Sequence, residues 1–303
     1  MRISKEMGKL EDYKGVNGKS AIYTLGTLLP KGLEYMLLPL WTRWLTVSEF
    51  GAIGLLVAVV KFSSSFLSIG FPSVMSRYVF DGDSSMRSKA SMVTTGLLFM
   101  SLIFGIVAIV FLLIGGKLWD EHFHEDLLSS KFAIPAFLFI AGLELTICGS
   151  AVARVLGKAW SSVICDSLGF FVGIGVSLLL VGGFKWGAEG RFWGISTGFC
   201  LSGGLYMFCV LKPYLRITFN FEHLRTLLKK GSPMILHSIS GSVILLSDRF
   251  FVEHYTGVAE LGVYTLATTL AMVISVGSAS VVSAWQPKVY HCLELGDKEK
   301  TIP

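Results

Sequence analysis

Three basic side chains stand inside apolar blocks of this chain: Lys31, Lys61 and Arg249. Glu34 follows Lys31 by one helical turn, Asp248 precedes Arg249, and Glu144 lies alone in another apolar block. A charge placed in hydrocarbon costs about 2.5–3.5 kcal/mol on insertion scales, so such residues as a rule face a protein interior or a wet cavity. A compact ammonium is a point-charge partner for phosphate. Lys31 and Lys61 turned into a water-filled cleft would therefore suit an anionic headgroup. The rival reading pairs Lys31 with Glu34 and lets the two neutralise each other. Glu34 has two roles open to it: holding Lys31 in place, or titrating to couple with a proton or another cation.

The elements that must position these groups are helices. The 303 residues are 52% hydrophobic and only 16% charged, with a mean hydropathy of +0.65, whereas soluble domains carry about a quarter charged residues. The apolar residues fall in blocks long enough to cross a bilayer, and hydrocarbon leaves the helix as the natural way to satisfy their backbone. The sequence predicts an all-α polytopic membrane protein of eight spans, near 20–42, 51–74, 91–115, 131–152, 160–182, 190–211, 232–254 and 262–286. At 1.5 Å per residue, Lys31 and Lys61 lie roughly 15 Å deep, near the midplane of a core about 30 Å thick. Arg249 lies nearer the outer end of span seven, within snorkelling reach of the interface.

Basic residues outside the spans divide eighteen to five between the two sides. The tails and the second, fourth and sixth connections hold the eighteen; Arg43, Lys117, Lys131, Lys185 and Arg191 are the five. By the positive-inside rule both termini are cytoplasmic. The net charge of +5 thus records topology and gives no reason to expect a nucleic-acid partner. The five cysteines show no CxxC spacing or Cys/His cluster, so neither a metal site, a cofactor nor a disulfide is expected. No cleavable leader is evident, because the first apolar block is too long.

One internal repeat stands out. "VSEFGAIGL" (47–55) aligns with "VAELGVYTL" (258–266) at an offset of 211, with Val47/Val258, Glu49/Glu260, Gly51/Gly262 and Leu55/Leu266 identical. The offset pairs the loop between spans one and two with that between spans seven and eight, as in a duplicated six-helix unit. The expected organisation is a six-helix membrane lobe over 1–217 and a partial second lobe over 218–303, which stops after two spans as a fragment or early-ended product would. At this offset Lys31 and Lys61 map to Ser242 and Met272, so the charges belong to the first lobe alone.

The junction "GKSAIYTLGTLLPKGLEYMLLPLWTRWLTVSEFGAIGL", the loop "GAEGRFWGISTG" (187–198), "SDRFFVEHYTGVAELGVYTLA" (247–267) and "AWQPKVY" (284–290) resemble the bacterial polysaccharide-export family. That family shares its fold with the multidrug-and-toxin exporters and the peptidoglycan-precursor flippases. The resemblance implies a flippase that moves a polyprenyl-pyrophosphate-linked oligosaccharide, an O-antigen or capsule unit, across the bacterial inner membrane by alternating access. It implies membrane lipids as surroundings, and polysaccharide polymerase and chain-length proteins as partners. Members have more spans than the eight counted here. Lys31, Lys61 and Arg249 are then the expected substrate contacts, and Glu34, Asp248 and Glu144 coupling or structural groups.

Two rivals stand beside this reading. A drug or cation antiporter has the same fold, but Lys31 and Lys61 would repel cationic cargo. An enzyme of lipid-linked sugars, a polymerase or ligase, would need a large loop, and the longest outward one, near 116–130, has no nucleophile–base constellation. His122 and His124 there suit a solvated surface better than a metal. Asp248 and Arg249, as neighbours on a helix, need not pair with each other, and Glu144 is expected protonated or bonded across helices. Asp166 is expected at the cytoplasmic interface. Pro30, Pro39, Pro72 and Pro233 can bend spans. "GFFVGIG" (169–175) carries a GxxxG close-packing face, and "KPYLRITFNFEHLRTLLKKG" (212–231) reads as an amphipathic linker resting on anionic lipid.

Overall fold

Thr46 and Glu49 start the first long helix. The Thr46 hydroxyl accepts from the Glu49 N–H at 3.2 Å, while Glu49 Oε2 accepts from the Thr46 N–H at 2.8 Å. Each side chain satisfies a backbone donor that the helix end leaves open. The computed structural model describes residues 30, 32–80, 85–110, 130–215, 219–272 and 274. The helices are α1 (Leu38–Trp44), α2 (Val47–Leu67), α3 (Phe71–Phe80), α4 (Met86–Val110), α5 (Ala133–Val155), α6 (Ala159–Leu178), α7 (Gly187–Tyr206) and α8 (Phe221–Thr256), followed by α9 (Val258–Met272). Among the described residues every regular element is helical.

Six helices, α2 and α4 to α8, are long and apolar enough to cross a membrane. They coincide with predicted spans two to seven, while spans one and eight fall partly outside the described residues. The surface is inverted relative to a soluble protein: Leu102, Ile109, Ile134, Phe208 and Ile244 are all more than half exposed. Hydrocarbon solvates such a surface at no cost, while the backbone is satisfied inside each helix. The chain is a multi-pass membrane protein.

Three local features refine or correct the sequence expectation. The predicted second span ends at Leu67, because Ile69 and Gly70 take φ of 47° and 65°. Helix restarts at Phe71, with Pro72 in its first turn, where the missing N–H is not needed. The first span breaks at Leu37, just before Pro39. The 212–231 linker is not a free surface segment either. Its second half forms the first turns of α8, and Leu224, Leu227 and Gly231 are buried there. Leu227 joins a core of Phe71, Met75, Met92, Cys148, Cys165 and Tyr206. Its apolar stripe found protein rather than lipid.

Glycines bring two helix pairs together. On α6, a Cβ at Gly169 or Gly173 would strike the carbonyls of Gly198 or Gly194 on α7, and the reverse also holds. The GxxxG face therefore meets a matching glycine row, and side-chain-free backbones close on each other. The second pair is the internal repeat. A Cβ at Gly51 would collide with the Val258 carbonyl, and one at Gly262 with the Val47 carbonyl. Val258 and Gly262 are the 211-offset counterparts of Val47 and Gly51. Gly54 lies against Thr265, its own counterpart. The two copies of the motif pack on each other about a local two-fold.

Candidate functional site

A cavity of about 430 Å³ lies among the first span, α2, α5, α6 and α7. Its charged lining is Glu34, Lys61, Asp166 and Arg191. The glycine row makes this geometry possible. Gly169, Gly173 and Gly198 form part of the wall and contribute no side chain to fill it.

Arg191 is the organising group. Sequence counting placed it in an outer connection, whereas α7 begins at Gly187 and carries it inward. Its side chain is only 11% exposed. One guanidinium nitrogen donates to Ser177 Oγ at 3.1 Å, and the other lies 3.4 Å from Glu34 Oε1. The guanidinium also sits over the Trp41 ring, 4.5 Å from its centroid, a favourable cation–π distance. Ser177 in turn donates to the Gly173 carbonyl at 2.8 Å. A side chain at position 194 would occupy the place of the Ser177 hydroxyl. The absent side chain at Gly194 thus leaves room for the serine that holds the arginine.

Glu34 is paired at one oxygen and 48% exposed, so its carboxylate also meets the cavity. The described partner of Glu34 is Arg191. Lys31, the partner considered from sequence, lies outside the described residues. Lys61 is exposed on the cavity side of α2. Asp166, expected at the cytoplasmic interface, lines the cavity as well, and Ser202 Oγ donates to it at 3.4 Å. The described charges of the cavity therefore balance, two basic against two acidic. This weakens the sequence expectation that Lys31 and Lys61 would repel cationic cargo.

The remaining candidates lie elsewhere. Glu144 is buried between α2 and α5, where its Oε1 accepts from Ser64 Oγ, the bond across helices expected for it. Arg249 does pair with its neighbour, against the expectation of diverging side chains: Nη1 lies 3.4 Å from Asp248 Oδ1 and donates to the Leu245 carbonyl at 3.0 Å. Tyr264 donates to the other Asp248 oxygen. Neither Asp248 nor Arg249 lines the cavity. His122 and His124 lie outside the described residues, among which no group of three or more His, Cys, Asp or Glu is arranged to hold a metal.

Glu49 links the two sequence motifs that frame the site. Its Oε1 accepts from the Ala188 N–H at 3.1 Å, at the entry to α7. The α1–α2 joint and the "GAEGRFWG" turn are thus fastened together, and Arg191 follows one turn later.

The fold matches solved transporter structures. An inward-facing multidrug resistance MATE family transporter of the MOP superfamily superposes with a TM-score of 0.63 at 18% identity, over 92% of this chain and 64% of that one. A MATE protein in complex with MaD3S gives 0.64 at 17% identity, over 95% and 67%. A Haemophilus influenzae protein of the Lsg locus is 24% identical over 280 residues, which is 91% of this chain and 66% of its own length. The chain therefore spans about two thirds of the length of these relatives. The family model described as polysaccharide biosynthesis protein matches residues 17–289. With that match over most of its length, and with a MATE-like all-helical fold, the chain belongs to the polysaccharide biosynthesis protein family.

Proposed function

We propose that this chain is the transport core of a flippase carrying a polyprenyl-pyrophosphate-linked oligosaccharide across the bacterial inner membrane. Both termini lie in the cytoplasm. Residues 1–217 form one lobe and 218–303 begin the second, and rocking of the lobes gives alternating access. The observation that carries this reading is the placement of Lys61 and Arg191 on one cavity in a chain of the polysaccharide biosynthesis family. Family and fold favour a transporter over an enzyme.

Lys61 is the group we assign to the diphosphate, with Lys31, one span earlier, as its companion. Arg191 acts at one remove: held by Glu34, Ser177 and Trp41, it fixes the wall against which the headgroup rests. When an anion enters, Glu34 faces competition for Arg191, so loading and unloading exchange one ion pair for another. Such exchange avoids leaving a bare charge in a poorly solvated site. Arg249 has no place in this assignment, since Asp248 and the Leu245 carbonyl occupy it.

The second reading, a cation or drug antiporter, is favoured by one observation: Glu34 and Asp166 give the cavity two carboxylates. Proteoliposomes carrying the full-length protein separate the two. Translocation of a polyprenyl-diphosphate oligosaccharide, with no uptake of a cationic dye, is the expected result. Dye uptake without lipid translocation would replace the flippase with the antiporter.

A further inference from the structure

A second cavity, of about 590 Å³, lies between α3 and the first half of α8, away from the site described above. Ser73, Val74, Arg77 and Tyr78 form one wall; Lys230 and Met234, one turn apart, form the other. The walls are pinned together where α8 crosses the break before α3, since Gly231 lies against the Ile69 carbonyl. Tyr78 is fixed in turn, its hydroxyl 2.9 Å from Ser88 Oγ.

The described charges that line this cavity are of one sign. Lys89 is engaged nearby, its ammonium donating to the Val79 carbonyl at 2.8 Å. Among the described residues Arg77 and Lys230 have no acidic partner, and none that lines the cavity is acidic. Two cations facing a shared hollow repel each other, and an anion between them removes that repulsion. Val74 and Met234 add apolar surface to the same walls. Arg225 and Lys229 extend the positive field along α8, at the end of the spans where basic residues concentrate. Basic pockets between helices on that side suit acidic lipid headgroups, and the volume is within the usual range for small-ligand pockets.

We infer that this cavity binds the phosphate of a lipid headgroup, with Arg77 and Lys230 as its charge partners. Two lipids present that chemistry, an anionic phospholipid of the bilayer and a polyprenyl diphosphate. Native mass spectrometry of the full-length protein with added phosphatidylglycerol, phosphatidylcholine or undecaprenyl diphosphate tests it. The double variant Arg77→Gln/Lys230→Gln should lose about 30-fold in apparent affinity for the anionic lipid, the effect of two near-surface charges. Phosphatidylcholine binding should not change. The charge-keeping variant Arg77→Lys/Lys230→Arg should retain the anionic lipid, which separates the site from a folding defect. Loss of phosphatidylglycerol assigns the bilayer lipid, and selective loss of undecaprenyl diphosphate assigns the polyprenyl carrier. Undiminished binding of both anionic probes to the double variant, or equal wild-type affinity for phosphatidylcholine, would overturn the inference. Lys61→Gln, which removes the diphosphate contact of the flippase reading, should leave phosphatidylglycerol binding and its dependence on Arg77 and Lys230 intact, so failure of the flippase reading would not carry this site with it.

Discussion

The joint between α1 and α2 and the joint between α8 and α9 stand 211 residues apart, pack on each other, and differ in how they use charge. The scaffold contacts are reciprocal: Gly51 lies on the Val258 carbonyl and Gly262 on the Val47 carbonyl. The polar groups are not. In the first joint Glu34 looks across the cavity wall to Arg191 and Trp41. In the second, Asp248 turns to its neighbour Arg249 and to Tyr264. Asp248 and Tyr264 are the counterparts of Leu37 and Ile53, which pack together around Trp41 and Leu45. The second joint thus puts a self-satisfied polar cluster where the first has apolar filling. Its counterparts of Glu34 and Lys61 are Leu245 and Met272. Symmetry belongs to the packing and asymmetry to the chemistry.

Breaking the packing should have the largest effect and should be even-handed. Gly51→Leu and Gly262→Leu each drive a side chain into backbone that cannot step aside. Each should cost more than the roughly 1–3 kcal/mol of ordinary overpacking, seen as collapse of the folded fraction in a detergent melt. If one variant is ruinous and the other silent, the reciprocal contact is wrong.

Breaking the chemistry should be one-sided. Arg191→Ala strips Glu34 of its described partner and uncovers the Trp41 ring. Loss of a buried pair's partner costs 3–5 kcal/mol; with Glu34 half exposed, about 1–2 kcal/mol is expected, together with at least a tenfold fall in translocation. Arg249→Ala should change translocation less than twofold. Equal loss in both would place Arg249 in the transport route.

Smaller effects sharpen the contrast at the helix starts. Thr46→Ala removes a cap worth about 1 kcal/mol. Gly257, its counterpart, has φ of 92°, so Gly257→Ala should cost a similar amount through backbone strain. Smallest is Asp248→Asn, which keeps an acceptor for Tyr264 and weakens an ion pair whose acidic partner is about one-third exposed, by about 1 kcal/mol or less, since Arg249 also keeps the Leu245 carbonyl. Thermal melts of the three variants should preserve this order.

Much of the fold could be read from residue order. Blocks of apolar residues located the six long helices, and the GxxxG at 169–173 announced the tight pair α6–α7. Lys61 and Glu34 were conspicuous because a charge in hydrocarbon is costly wherever it stands. Arg191 escaped because it comes one turn after a helix start, where a cation ordinarily reaches water. Its signal was present in Gly187, Gly190, Gly194 and Gly198, a row that marks the face of closest approach and hence burial for what lies beside it. Asp166 escaped as a cavity residue because it stands near a predicted helix end, where a carboxylate ordinarily meets water. The break at Ile69–Gly70 left only Pro72 as a clue. The docking of the 221–231 turns could not be read at all, because an amphipathic stripe does not say whether lipid or protein will cover it.

In the proposed mechanism the amine of Lys61, on the wall of the first cavity, carries the contact with the cargo's diphosphate. Surface polysaccharide in cells whose full-length gene encodes Lys61→Ala tests it most directly, scored at equal protein level beside Lys61→Arg. Loss of surface polymer with precursors held inside, and recovery in the arginine variant, is the predicted result. Wild-type polymer in the alanine variant would contradict it.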